Sequence, residues 1–167
     1  MSICESLAAE LRQEAKTTRR LLERVPEGSF DWKPHEKSMS LGRLAGHVAE
    51  LPSLLAPALT MDELNFASGA YTPFVPTGTA ELLEKFDSTV NAAVELLSGQ
   101  TDERMNDQWR LAAGDQTFFA GPRAVAVRAL VLNHVVHHRG QLSVYLRLLD
   151  VPLPSIYGPS ADEAPGA

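Results

Sequence analysis

Leu7, Leu11, Ala15, Leu21, Leu22 and Val25 recur mostly at helical spacing along the first stretch of the chain, with Arg, Glu, Gln and Lys between them. One apolar stripe on a polar cylinder predicts a first helix from Ser2 to about Val25, stopped by Pro26 and Gly28. The segment PEGSFDWKPHEKSMS then reads as a loop, in which Phe30 and Trp32 alternate with polar residues and are expected to plug the loop onto the core. Ser40 suits an N-cap, and Leu41, Leu44, Ala45, Val48, Leu51 and Leu55 mark one face of a second helix. Pro52 lies inside that pattern and removes a hydrogen bond, so this helix is expected to kink one turn earlier. Pro57 limits its continuation.

The stretch TMDELNFASGAYTPFVPTG shows no sustained period and predicts a long connection, of the kind that often borders a functional site. Thr79 is expected to cap a third helix running through Leu82, Leu83, Phe86, Val90, Ala93, Val94 and Leu97 to about Ser98, where Gly99 stops it. TDERMNDQWRLAAGDQTFFAG reads as irregular, with room for one short helix or hairpin. Pro122 suits the first turn of a last long helix, about residues 122 to 149. The tail VPLPSIYGPSADEAPGA cannot continue it, and residues 160–167 are expected to be flexible. Four long helical patterns with almost no two-residue alternation predict an all-α fold, a four-helix bundle with long connections and a kinked second helix. No repeat or internal linker divides the chain, so residues 1–167 are expected to form a single domain.

Composition narrows the function. At 167 residues and 44% hydrophobic content, the chain has the size and apolar share of one ordinary core. The 21 acidic residues outnumber the 15 basic ones for a formal charge of -6, and the Lys and Arg are scattered. The basic stripe that nucleic acid requires is missing, so no nucleic-acid partner is expected. Cys4 is the only cysteine, which excludes an intrachain disulfide and reads as a free surface thiol. Glu5 and Glu10 interrupt the N-terminal stretch, which therefore does not read as a signal peptide. No apolar run approaches the roughly 18 residues needed to cross a bilayer. The expectation is a cytoplasmic protein with no membrane partner.

The segment LNHVVHHRGQLSVYLRLLD holds three of the five histidines in the midst of an apolar helical pattern. Residues turn by about 100° each along a helix, so His134 and His138 share a face one turn apart, and His137 points to a neighbouring sector. Two imidazoles at that spacing can bind one ion at about 2.0–2.1 Å. Val131, Val135, Leu142, Tyr145 and Leu149 lie near the same face, so the pair looks inward. Burying unpartnered imidazoles costs roughly 1–3 kcal/mol for each unsatisfied group, which a metal or a set of hydrogen bonds must offset. A third inward histidine, His47, stands in SLGRLAGHVAELPSLL among Leu44, Val48 and Leu51. His35, beside Lys33, Glu36 and Lys37, reads as a solvated loop residue. Helical histidines also cap, pair or pack, so spacing alone leaves a purely structural cluster open.

Two stretches carry a wider likeness. FDWKPHEKSMSLGRLAGHVAELP has a Trp-x-Pro loop before a helix bearing one His, and NHVVHHRGQLSVYLRLLDVPLPSIYGPS has His-x-x-His-His-Arg-Gly-Gln followed by a Tyr-Gly-Pro-Ser tail. In these, and over nearly its whole length, the chain resembles the DinB family of damage-inducible-protein-like, YfiT-like metalloenzymes. The resemblance implies a four-helix bundle, commonly a homodimer, with a divalent metal held by three histidines. By motif position those ligands are His47, His134 and His138. It also implies zinc or nickel as the first metals to consider, with iron and manganese behind them.

Three imidazoles leave coordination positions open, as reactive metal sites do. Such an ion could activate water, polarise a carbonyl or hold a thiol as thiolate. Glu50, one turn after His47, and Gln141, one turn after His137, are candidates to orient ligand rings, as is His137. A solvated helix surface is the plainer expectation for Glu50, an exposed or interfacial ion pair for Arg139, and aromatic packing for Tyr71, Tyr145 and Tyr157. No zincin motif, nucleophile elbow, phosphate loop or dinucleotide fingerprint occurs, and no catalytic residue stands out. The resemblance extends to a superfamily with thiol-dependent transferases and an isomerase. The leading expectation is therefore a metal-dependent enzyme acting on a small molecule, a thiol S-transferase using a low-molecular-weight thiol or a hydrolase. The alternative is a non-catalytic, stress-related metal-binding bundle.

Overall fold

In the computed structural model, which describes residues 2–69 and 71–164, the first helix α1 (Ile3–Leu22) opens with a capping box. Ser2 Oγ accepts from the Glu5 amide at 3.1 Å, and the Glu5 carboxylate accepts from the Ser2 amide at 2.7 Å. The helix ends at Leu22, and Val25, expected within it, is buried just beyond. Cys4 is buried too, at 3% exposure, which corrects the expected surface thiol. It lies one turn before Leu7 and Ala8 and extends their apolar face.

Ser40 caps α2 (Leu41–Glu50) as expected, accepting from the Arg43 amide at 3.2 Å. Pro52 has its foreseen effect: the chain tightens into a 3-10 turn at Leu51–Leu54 before α3 (Leu55–Thr60) resumes. The third long helix, α4 (Thr79–Ser98), is capped differently from the expectation. Gly78 is its N-cap, while Thr79 already belongs to the helix and donates its hydroxyl to the Val25 carbonyl. The Glu27 carboxylate takes the Thr79 amide instead, at 2.9 Å.

Helix α1 packs against α4 and the last helix α7 (Asn133–Leu148), and α2 packs against the same two. Helices α1 and α2 therefore occupy opposite corners of the bundle, and residues 23–40 must cross between them. Phe30 and Trp32 pin that crossing to the core, Trp32 meeting Tyr145 edge-on at 5.8 Å. This is the plug read from their alternation.

The segment expected to be irregular is ordered into a short helix and a hairpin. After α5 (Asp102–Asn106), β2 (Gln108–Ala113) and β3 (Gln116–Pro122) pair antiparallel, and β1 (Glu63–Asn65) joins β2 in parallel. The bundle thus carries a small three-stranded sheet, ordered β1-β2-β3. Gly114 supplies the positive φ (58°) that the tight hairpin turn needs. Trp109, Leu111 and Ala112 bury one side of β2 against the core.

Pro122 is the N-cap of the last helical stretch rather than part of its first turn. That stretch runs as α6 (Arg123–Val127), a π-helical turn at Arg128–Leu132, and α7. Arg139, expected in an exposed or interfacial ion pair, makes the interfacial one and is buried at 1% exposure. Its Nη1 lies 2.7 Å from Glu14 Oε2 and donates to Thr18 Oγ1 at 3.1 Å, while the Tyr157 ring covers the guanidinium at 5.0 Å. Tyr157 thus packs as expected and also donates to Glu14.

Of the stretch expected to be flexible, 165–167 lie outside the described residues. Within 160–164, Asp162 accepts from the Leu153 amide at 2.9 Å and pairs with Arg147. Among the described residues no helix is long and apolar enough to cross a membrane.

The buried apolar residues fall into two clusters. One gathers Leu7, Leu11, Leu55, Leu59, Trp109 and Val131 at the sheet end, and the other gathers Leu21, Leu44, Val48, Phe86, Leu142 and Leu146. The histidines sit where the two meet.

Candidate metal centre

His47 projects from α2, and His134 and His138 from the adjoining α7. Each offers a ring nitrogen, and these three atoms lie within 4.8 Å of one another. The ring centroids are 5.2 Å apart for His47 and His134, 4.6 Å for His47 and His138, and 4.7 Å for His134 and His138. The three residues chosen from spacing therefore come together.

On its outer side each ring has a separate acceptor. His47 Nδ1 lies 2.9 Å from Glu50 Oε1, and His138 Nδ1 lies 2.7 Å from Gln141 Oε1. The Leu130 backbone carbonyl, in the π-helical turn, accepts from the His134 ring. Widened turns of this kind shift carbonyls off the α-helical ladder and recur at functional sites. Acceptors on the outer nitrogens place protons there and leave the inner nitrogens of His47 and His138 as lone-pair donors, the tautomer that metal ligation uses. The donor set thus fits a divalent ion. Gln141 serves His138 rather than His137, because three residues along a helix bring side chains together. His137 is exposed, with its ring 4.7 Å from that of His138.

Glu50 differs most from expectation. It is 7% exposed rather than solvated, and its carboxylate gathers His47, the Tyr71 hydroxyl at 2.6 Å, the Phe74 amide at 2.8 Å and Arg43 Nη1 at 3.0 Å. Burial works to raise its pKa, but the hydrogen bonds from His47, Tyr71 and Phe74 and the charge of Arg43 outweigh it and hold the carboxyl at about 2. The long connection comes this close because residue 46 is glycine. A Cβ there would stand 2.4 Å from the Phe74 carbonyl oxygen and 2.8 Å from Pro76 Cδ. Tyr71, expected to pack and in second place to serve as a pocket group, lines the cavity beside His47, donates to Glu50 and accepts from Arg43 Nη2 at 2.9 Å.

Burial lowers the pKa of His134, with the nearby charge of His47 adding to it. Burial likewise takes His138 down to about 4 against the pull of Gln141, and His47, His134 and His137 reinforce the fall. Both rings are thereby kept neutral, as ligands must be.

A cavity of about 200 Å³ opens beside His47 and His134. Leu51, Leu54, Phe66, Leu111 and Leu130 form its apolar wall. Sequence reasoning passed over Arg43, Phe66, Leu111 and Leu130. Arg43 alone left a signal: it precedes His47 by one helical turn and Glu50 by two, on one side of α2. Tyr145 and His35 stand outside the cavity lining; His35 is exposed in its loop, its Nδ1 accepting from the Lys37 amide at 3.1 Å.

A helical bundle with a three-histidine cluster between adjacent helices defines a class of possible metal proteins, and comparison with known sequences makes the assignment specific. The chain belongs to the DinB family, whose match covers residues 1–166. It is 28% identical over 151 residues to the uncharacterized protein YrdA of Bacillus subtilis (strain 168), spanning 90% of this chain and 85% of YrdA. A DinB-like protein from Bacillus cereus ATCC 10987 superposes with a TM-score of 0.71 at 24% identity, covering 92% of this chain and 97% of that one. The mycothiol-dependent maleylpyruvate isomerase shares the fold at a TM-score of 0.53 and 13% identity, over 92% of this chain and 65% of its own.

Proposed function

We propose that the protein is a divalent-metal-dependent enzyme acting on a small molecule, with His47, His134 and His138 as the ligands and thiol S-transfer as its reaction. The observation that carries this reading is the cluster itself: three ring nitrogens within 4.8 Å, beside a cavity that can admit a reactant. Zinc or nickel suits an all-imidazole set; iron and manganese are the further candidates. When bound, the ion supplies Lewis acidity that lowers the pKa of a coordinated thiol or water.

The chain's own residues hold the site. Glu50, Gln141 and the Leu130 carbonyl fix the three ring orientations, and His137 stands at the edge of the cluster. Glu50 is a positioning group here rather than a general base. A general base works best with a pKa near the operating pH, whereas Glu50 sits at about 2 with its oxygens already engaged. A thiolate attacking an electrophilic carbon needs no such base: the carbon–sulfur bond forms as the leaving group departs with its electron pair, and the thiol proton goes to solvent. A fold shared with a protein described as mycothiol-dependent makes low-molecular-weight thiols the cosubstrates to try first. A homodimer belongs to the same reading and is checked by light scattering.

The test is elemental analysis of untagged protein beside His47→Ala and His134→Ala. Near-stoichiometric metal in the wild type, lost in both variants, is expected, followed by metal-dependent turnover of thiols with chlorinated aromatics or epoxides. No metal in any sample after reconstitution overturns the proposal.

A further inference from the structure

The cavity beside the histidines has a definite chemical character. Its wall is leucine and phenylalanine from four places in the fold: Leu51 and Leu54 from the 3-10 turn, Phe66 from the long connection, Leu111 from β2 and Leu130 from the π-helical turn. Among the described residues no Lys or Arg lines it.

Away from the inner nitrogens of His47 and His134, its polar lining groups are already engaged. Ser53 donates to the Glu50 carbonyl at 2.6 Å, Tyr71 donates to the Glu50 carboxylate, and that carboxylate has four donors around it. A charged group seated against this wall would have to give up water without gaining a free partner there, which is costly in such surroundings. An uncharged apolar ligand gains from the same wall. Size sets the other limit. An engineered cavity of about 150 Å³ lined by comparable side chains takes up benzene, and this one is about 200 Å³.

We infer that this cavity seats an uncharged, apolar part of the substrate, the size of one substituted aromatic ring, with Leu54, Phe66 and Leu111 setting its limits. The ring then lies against His47 and His134, two of the residues that would hold the ion. This assignment rests on the proposed enzymatic reading for its role, but binding in the cavity does not require the ion and can be measured without it.

The experiment is a titration of metal-free wild-type protein with chlorobenzene, benzoate and benzylamine, followed by amide and methyl NMR. These probes share one ring and differ in charge. Chlorobenzene is expected to shift resonances of Leu54, Phe66, Leu111 and Leu130, with both charged probes weaker by about tenfold or more because of the cost of burying their charge. Leu111→Trp, and separately Leu54→Phe, should fill the space and abolish the chlorobenzene shifts, read in whichever variant keeps the wild-type circular dichroism and metal content. His138→Ala, at the triad member outside the cavity lining, should lose the metal and keep the chlorobenzene response. Equal binding of the three probes, or chlorobenzene shifts that persist in the filled variants, overturns the inference. Full metal loading without chlorobenzene binding would sink this inference alone, and chlorobenzene binding without metal loading would sink the metalloenzyme reading alone.

Discussion

Helix α7 carries two polar clusters on different sides. Toward α1, Arg139 is 1% exposed, paired with Glu14, bonded to Thr18 and covered by Tyr157. Toward α2, His134 and His138 meet His47. The first cluster closes over itself: opposite charges neutralise one another and an aromatic ring covers the guanidinium, whose Nη2 is, among the described residues, buried without a hydrogen-bond partner and turned to no cavity. The second is satisfied only on its outer side, and its inner nitrogens face one another beside a cavity. Burial of polar groups is common to both, so burial alone does not mark a functional site. Unused donor capacity turned toward an open space does.

The largest effect is expected from opening the closed cluster. Arg139→Met should cost about 3–5 kcal/mol, toward the lower end because Glu14 retains some exposure. Urea denaturation measures that loss, and metal content should not change with it. Next comes Glu50→Gln, which keeps the shape and removes the charge that orients His47. Metal affinity should fall by about 10–100-fold in a competition titration, while a fall no greater than experimental error would show that Glu50 serves the loop alone.

Acid should separate the clusters further. His138 has a folded pKa of about 4 against an ordinary 6.5, and that of His134 is also lowered. The unfolded chain therefore takes up these protons first. The associated stability of the metal-free protein is complete above pH 6.5 and is lost as pH falls toward 4. Glu50, lowered from 4.5 to about 2, adds a loss in the same direction below that window. Denaturation midpoints at pH 7, 5.5 and 4.5 should decline, and a His134→Ala/His138→Ala double variant should flatten the decline. The smallest effect is expected from Gln141→Ala. Its exposed amide leaves water to replace it at His138, so metal affinity should fall by about tenfold at most.

The bundle and the histidine triad were legible because each depends on local spacing. One apolar face at helical period identified α1, α2 and α4, and a four-residue interval put His134 beside His138. The sheet was hidden because Leu111 and Ala112 are buried in succession, which breaks the alternation of β2, because the register there skips Phe118 of β3, and because β1 takes its partner from far along the chain. Glu50 was named as a candidate to orient His47, but its burial was missed for a related reason: Tyr71 and the Phe74 amide reach it from a connection with no period of its own. Arg139 did leave a trace. Val135, Leu142 and Leu146 are buried at helical spacing around it, so its position was apolar in pattern though charged in kind.

The turn at Arg128–Leu132 also fixes the phase of the last helix. Its cap bond runs from the Asn133 amide to the Arg128 carbonyl, one residue longer than the α-helical interval. That additional residue lets α6 keep its face against the sheet end while His134 and His138 face α2. Deleting one residue within the turn would restore the ordinary ladder and rotate one half of the helix against the other by about 100°. Either the sheet end or the histidines would then face the wrong way, so the extra residue acts as an angular spacer between two parts of the molecule with different roles.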